Sequence, residues 1–137
     1  MEPSLALQRA VFDRLRTDAA LTALVPAANI FDRHGLPSAS PCLILGDDQT
    51  IREPIALADR SFRVAVALHV WVKGQNLVPV KQIAGAVMLA LRPRFASVTG
   101  FRVVSFLASD ARYLRDPGGE WGHGVLGYEA LLVEVMP

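Results

Sequence analysis

Ser61-Phe62-Arg63-Val64-Ala65-Val66-Ala67-Leu68-His69-Val70-Trp71-Val72 is the most regular stretch of the chain. Side chains of an extended strand point alternately to its two faces. Phe62, Val64, Val66, Leu68, Val70 and Val72 therefore share one side, and Arg63, Ala65, Ala67, His69 and Trp71 the other. This period predicts a strand with one face in a core. Gly74-Gln75-Asn76 breaks it, and Val80, Ile83, Ala84, Val87, Met88 and Leu91 then recur at the spacing of a helix with one buried face. Pro79 falls in the first turn of that helix, where a missing N–H is harmless.

Working outward, Ser4 is a candidate cap for an N-terminal helix whose stripe is Leu5, Leu7, Val11, Phe12 and Leu15. Thr17-Asp18 predicts a second cap, opening a short helix through Leu21, Leu24 and Val25 that Pro26 ends. A short strand is expected at residues 29–31. His34 to Pro41 reads as a loop leading into a buried strand at residues 42–45, which Gly46-Asp47-Asp48 closes. Residues 49–59 hold charges, Pro54 and no clean period, and are expected as an exposed excursion. After Arg92-Pro93 a strand runs from Phe101 to about Ala108. Asp116-Pro117-Gly118-Gly119 is a turn signal that folds a last strand, residues 125–135, back as an antiparallel partner. Strands in runs with segregated helices predict an α+β fold: one domain, with a mainly antiparallel sheet and two principal helices packed on one face.

A chain of 137 residues accommodates one domain and a core that needs no staple. Its single cysteine, Cys42, permits no internal disulfide. Fourteen Lys and Arg against thirteen Asp and Glu leave a net charge of +1, which argues against a dedicated nucleic-acid binder or a polybasic membrane anchor. Hydrophobic residues make up 52% and charged residues 20%, an apolar balance that suggests self-association. The uncharged run at residues 82–91 is short of the roughly 20 residues a bilayer span needs. Met1-Glu2-Pro3-Ser4 has no basic lead into an apolar core, so no secretory signal is expected and the chain reads as cytoplasmic.

Few residues suggest chemistry. Gly122-His123-Gly124-Val125-Leu126-Gly127 matches G-x-G-x-x-G literally, but dinucleotide binding needs a strand before it, a helix after it and a distant acidic residue. The residues that follow alternate like a strand, so these glycines read as a strand entry. His34, His69 and His123 lack metal-ligand spacing. His69 reads as a packed or hydrogen-bonded residue, and His34 and His123 as solvated loop residues. Cys42 would need a base such as His69 to become a nucleophile, yet it opens an apolar run that suits a buried, inert thiol. Asp47-Asp48 is an adjacent pair whose side chains diverge, which suits solvation or an intersubunit salt bridge better than acid–base work. No catalytic residue, cofactor or metal is expected.

Several short motifs, in order, resemble one family. They are Pro3-Ser4-Leu5-Ala6-Leu7-Gln8, Leu15-Arg16-Thr17-Asp18-Ala19-Ala20-Leu21, Ile30-Phe31-Asp32, Pro41 and Leu45-Gly46-Asp47 in the first half. Leu68-His69-Val70-Trp71, Lys81-Gln82-Ile83-Ala84, Arg115-Asp116 and Trp121-Gly122-His123-Gly124-Val125-Leu126 continue the order. Together they look like the tail-completion, or tail-terminator, proteins of long-tailed phages and gene transfer agents, over nearly the whole chain. The resemblance implies a non-enzymatic virion protein, assembled in the bacterial cytoplasm. It would form a homohexameric ring at the head-proximal end of the tail tube, stop tube polymerisation and meet a head-side stopper protein. DNA would cross the bore without sequence-specific binding.

A ring closed by cyclic symmetry needs two different patches on each copy. The segment 47–60 and the hairpin 116–123 are the candidates, with Asp47, Asp48, Arg52, Glu53, Arg60, Arg115, Asp116, Trp121 and His123 as expected contact residues. Two other readings compete: a stopper or adaptor ring of the same head–tail connector, and a small cytoplasmic enzyme using Cys42 and His69.

Overall fold

A computed structural model describes residues 1–32, 36–52 and 60–135, apart from the side chain of Asp47. Helix α1 spans Pro3–Thr17. Its cap is Glu2 and not Ser4: the Glu2 carboxylate accepts from the Leu5 N–H at 2.9 Å. The reason is Pro3, whose fixed φ and absent N–H suit the first helical position and move the cap back to Glu2. Ala6, Leu7, Val11 and Leu15 are buried, whereas Leu5, expected in the stripe, is 37% exposed. Helix α2, Ala19–Thr22, starts as expected, with the Leu21 N–H donating to Asp18 Oδ1 at 2.9 Å.

Six strands form one sheet in the order β1-β2-β3-β6-β5-β4. They are β1 (Ile30–Phe31), β2 (Cys42–Arg52), β3 (Ser61–Lys73), β4 (Ser97–Val98), β5 (Phe101–Arg115) and β6 (Trp121–Glu134). Only β1 runs parallel to its neighbour; every other pairing is antiparallel. Strand β3 lies in the middle, with Val64, Val66, Leu68 and Val70 buried and Arg63, Ala65, Ala67, His69 and Trp71 half-buried, as the alternation predicts. Helix α3, Val78–Ala90, buries Val80, Ile83, Ala84 and Val87. Helix α1 covers β2 and β3 while α3 covers β3, β6 and β5, so both principal helices lie on one face. Arg14 of α1 closes the layer: its guanidinium sits 3.5 Å from the Phe95 ring centre and donates to the Pro93 carbonyl.

Three strands outrun their sequence limits. Asp47-Asp48 does not close β2; a register shift between Gly46 and Gln49 absorbs the extra residues, and the strand continues to Arg52. Residues 49–52 of the expected excursion are therefore strand, and the rest of it, residues 53–59, lies outside the described residues. Strand β5 does not stop near Ala108, because a second register shift between Ala108 and Asp110 takes up Ser109. Strand β6 starts at Trp121 and not Val125, because Gly122 and Gly124 pair with Val72 and Val70 of β3. A bulge leaves one residue unpaired and lets the ladder resume, so a polar interruption need not end a strand.

Candidate assembly interface

The helix-free face of the sheet carries a row of aromatic side chains. Trp71 of β3 faces His123 of β6 in the ladder, and their rings stack with centres 3.7 Å apart. His69 Nδ1 lies 2.9 Å from His123 Nε2 in a hydrogen bond. Trp121 meets Trp71 edge to face, with centres 6.4 Å apart. Burial first, then the nearby His69 and Arg112 charges, push the His123 imidazole down to about 4, against an opposing pull from Asp116. His123 is thus a neutral, half-buried strand residue, not the solvated loop residue expected. His69 is hydrogen-bonded and packed, as expected. His34 lies outside the described residues.

The hairpin tip is fastened to the rest of the molecule. The Asp116 N–H donates to the Trp121 carbonyl at 2.8 Å, and the Gly119 N–H to the Asp116 carbonyl at 2.7 Å. Gly119 adopts φ +74°, a left-handed value that glycine meets without steric cost. The Gly74 N–H donates to the Glu120 carbonyl at 2.7 Å, and Arg115 Nε to the Gln75 carbonyl at 2.9 Å. Arg115, Asp116, Trp121 and His123 therefore lie together at one hydrogen-bonded corner of the sheet.

At the diagonally opposite corner lie the exposed Arg52 of β2 and the half-buried Arg60 just before β3, while the exposed Asp48 sits in the β2 bulge, level with Val66 midway along β3. Arg52 faces Phe62, which faces Leu132, whereas Cys42 faces Trp71, which faces His123. The two levels are separated by roughly 30 Å at the usual rise per strand residue. Glu53 and the side chain of Asp47 lie outside the described residues. Apart from Asp48, the contact residues that are described thus collect in two separate patches. Sequence reasoning missed the outer margin of β5, where Leu107 is 66% and Leu114 40% exposed. Ser109-Asp110 hid it by interrupting the alternation.

The motif glycines have structural work. A Cβ on Gly124 would lie 2.9 Å from Val80 Cγ1, and one on Gly122 3.0 Å from Val80 Cγ2. Their bare backbone lets the first turn of α3 rest on β6, so the G-x-G-x-x-G stretch is a packed strand. Cys42 is buried, and burial pushes its thiol up, away from the thiolate a nucleophile requires. His69 directs Nδ1 to His123. Among the described residues no cluster of three or more His, Cys, Asp or Glu could hold a metal ion, and no helix is long and apolar enough to cross a membrane.

The family model for tail completion protein gp17 matches residues 9–132. The chain belongs to the tail completion protein family. Among solved structures, a chain from "Virion of native gene transfer agent (GTA) particle" is 24% identical with a TM-score of 0.79, over 93% of this chain and 95% of that one. The gp17 protein of bacteriophage SPP1 is 22% identical with a TM-score of 0.59, over 97% of this chain and 91% of that one. Both likenesses are to the α+β fold described above. No curated protein matches. Members of the tail completion family are structural phage tail proteins.

Proposed function

We propose that this chain is a non-enzymatic tail terminator of a phage or gene transfer agent virion. Copies close a ring, a hexamer by the family resemblance, on the head-proximal end of the tail tube. The ring ends tube polymerisation and joins the tail to the head-side stopper, and DNA crosses its bore without sequence-specific binding. Membership of the tail completion family over residues 9–132 carries this reading. The two patches at opposite corners support it, because a closed ring needs two different contact surfaces on each subunit.

Electron microscopy of particles from a producer strain lacking this gene tests the proposal. The expected result is separate filled heads and tails of irregular, often excessive length. Normal joined particles would remove it. Tails of regular length that fail to join heads would place the protein on the head side, as a stopper or adaptor.

A further inference from the structure

An open groove of about 330 Å³ lies between the end of α3 and β5. Met88, Leu91, Phe106 and Tyr128 give it an apolar lining, and Arg92 is the one charged residue among the described ones that line it. Tyr128 pairs with Ala108 of β5 and with Val66 midway along β3, so the groove belongs to neither corner described above. The Phe106 and Tyr128 rings stack with centres 5.1 Å apart, and Phe95 meets Phe106 edge to face at 5.4 Å. The floor is thus packed from behind and open in front.

The polar groups of the groove define what it takes. Tyr128 is 4% exposed, yet its hydroxyl makes no hydrogen bond with a described residue. It is not sealed off either, since Ser61 Oγ is the one fully occluded side-chain polar atom without a partner among the described residues. Polar groups on side chains this deep are ordinarily paired, so the hydroxyl is set to bond a group that enters from outside. Burial first and Tyr113 second push the Tyr128 phenol up, which keeps its proton on for donation. Arg92 is exposed and makes no ion pair among the described residues. Its fork of N–H donors suits a carboxylate. Residues 77–109, which build α3, β4 and the first part of β5, hold Lys81, Arg92, Arg94 and Arg102 and not one Asp or Glu. Acids of the adjoining elements are engaged elsewhere: Glu129 accepts from Arg63, and Asp13 lines a separate groove with Ser97. The groove therefore complements an apolar side chain accompanied by a carboxylate. A second copy placed groove to groove would add the same four cations and no acid.

We propose that the groove between α3 and β5 seats an acidic loop of a partner protein, its apolar side chain against Phe106 and Tyr128 and its carboxylate on Arg92 and the Tyr128 hydroxyl. The inference rests on the assembly reading above and deepens it by giving a partner other than this chain a place on the helix-covered face.

Photo-crosslinking in particles tests it. Leu107→p-benzoylphenylalanine and, separately, Ala108→p-benzoylphenylalanine put the probe on exposed residues of the groove rim. Particles from the producer strain are irradiated, and the linked peptides are identified by mass spectrometry. The expected link joins the groove to a different protein, at a segment with an apolar residue within two positions of an Asp or Glu. Arg92→Gln should lower its yield by about tenfold and Tyr128→Phe by about fivefold, the usual worth of a charged and a neutral hydrogen bond. Both variants should melt close to the wild type. Arg102→Gln, which removes a cation of β5 outside the groove, should leave the yield unchanged. Reversing the linked acid together with Arg92→Glu should restore the yield that either change alone removes. Equal losses from Arg92→Gln and Arg102→Gln would overturn the proposal in favour of a diffuse basic surface. A link at a segment without an acid, or to a second copy of this chain, would also overturn it. Joined particles that hold the chain and give no link would overturn the groove contact and leave the terminator reading standing. Particles that lack the chain would overturn both.

Discussion

Gly124 and Gly85 show how one residue type serves opposite purposes. Gly124 lets α3 approach β6, and a methyl group there would meet Val80 Cγ1 at 2.9 Å. Gly124→Ala should cost about 1–3 kcal/mol, the usual penalty for overpacking a filled core. Gly85 lies exposed in the middle of α3, where an added methyl group would meet nothing within 4 Å. Gly85→Ala should stabilise by roughly 0.5–1 kcal/mol through reduced chain entropy in the unfolded state. Urea unfolding of both variants checks the pair of signs. His123 makes a pH prediction of definite sign. Its imidazole is held down to about 4 when folded against the ordinary 6.5, so the unfolded chain binds more protons between those values. Stability should therefore be full above about pH 6.5 and fall as pH drops toward 4, and His123→Gln should flatten that slope in urea titrations. The glycine motif was legible as strand from the alternation after Gly127. The stacking of His123 on Trp71 was not, because ring contacts between strands depend on register and sequence spacing carries none of it.

At the scale of elements, β3 and α3 were readable because each carries an uninterrupted period. Their cores should respond accordingly: Leu68, 1% exposed, should cost about 2–5 kcal/mol on Leu68→Ala, through lost burial and the cavity left behind. Leu107, 66% exposed on the β5 margin, should change stability by no more than about 0.5 kcal/mol on Leu107→Ala. Equilibrium denaturation of the two distinguishes core from margin. The N-terminus of α1 makes a third case, since Glu2 accepts from the Leu5 N–H and also from the Thr50 hydroxyl of β2 at 2.9 Å. Glu2→Ala should cost about 1 kcal/mol as a lost helix cap, read by the same method. The ends of β2 and β5 were not readable. Asp47-Asp48 and Ser109-Asp110 look like strand ends in one dimension, and only pairing with β3 and β6 makes them bulges.

Over the whole molecule, the described contact residues other than Asp48 fall into two corners joined by a sheet that both principal helices cover on one side. Charge reversal at the β2 corner, Arg52→Glu with Arg60→Glu, should leave the thermal transition close to that of the wild type. It should weaken assembly at least tenfold by sedimentation velocity; unchanged assembly would count against that corner. The sequence by itself determined the α+β class, the central strand, the core-facing stripe of α3, the turn at Asp116 and the family, because each is carried by local period, turn chemistry or ordered short motifs. Tertiary structure alone decided the strand order β1-β2-β3-β6-β5-β4, the three register shifts in β2 and β5 and the histidine–tryptophan row. Those features depend on which strand lies beside which. Register and neighbour identity arise from long-range pairing, and alternation within a single strand is the same whichever partner it finds.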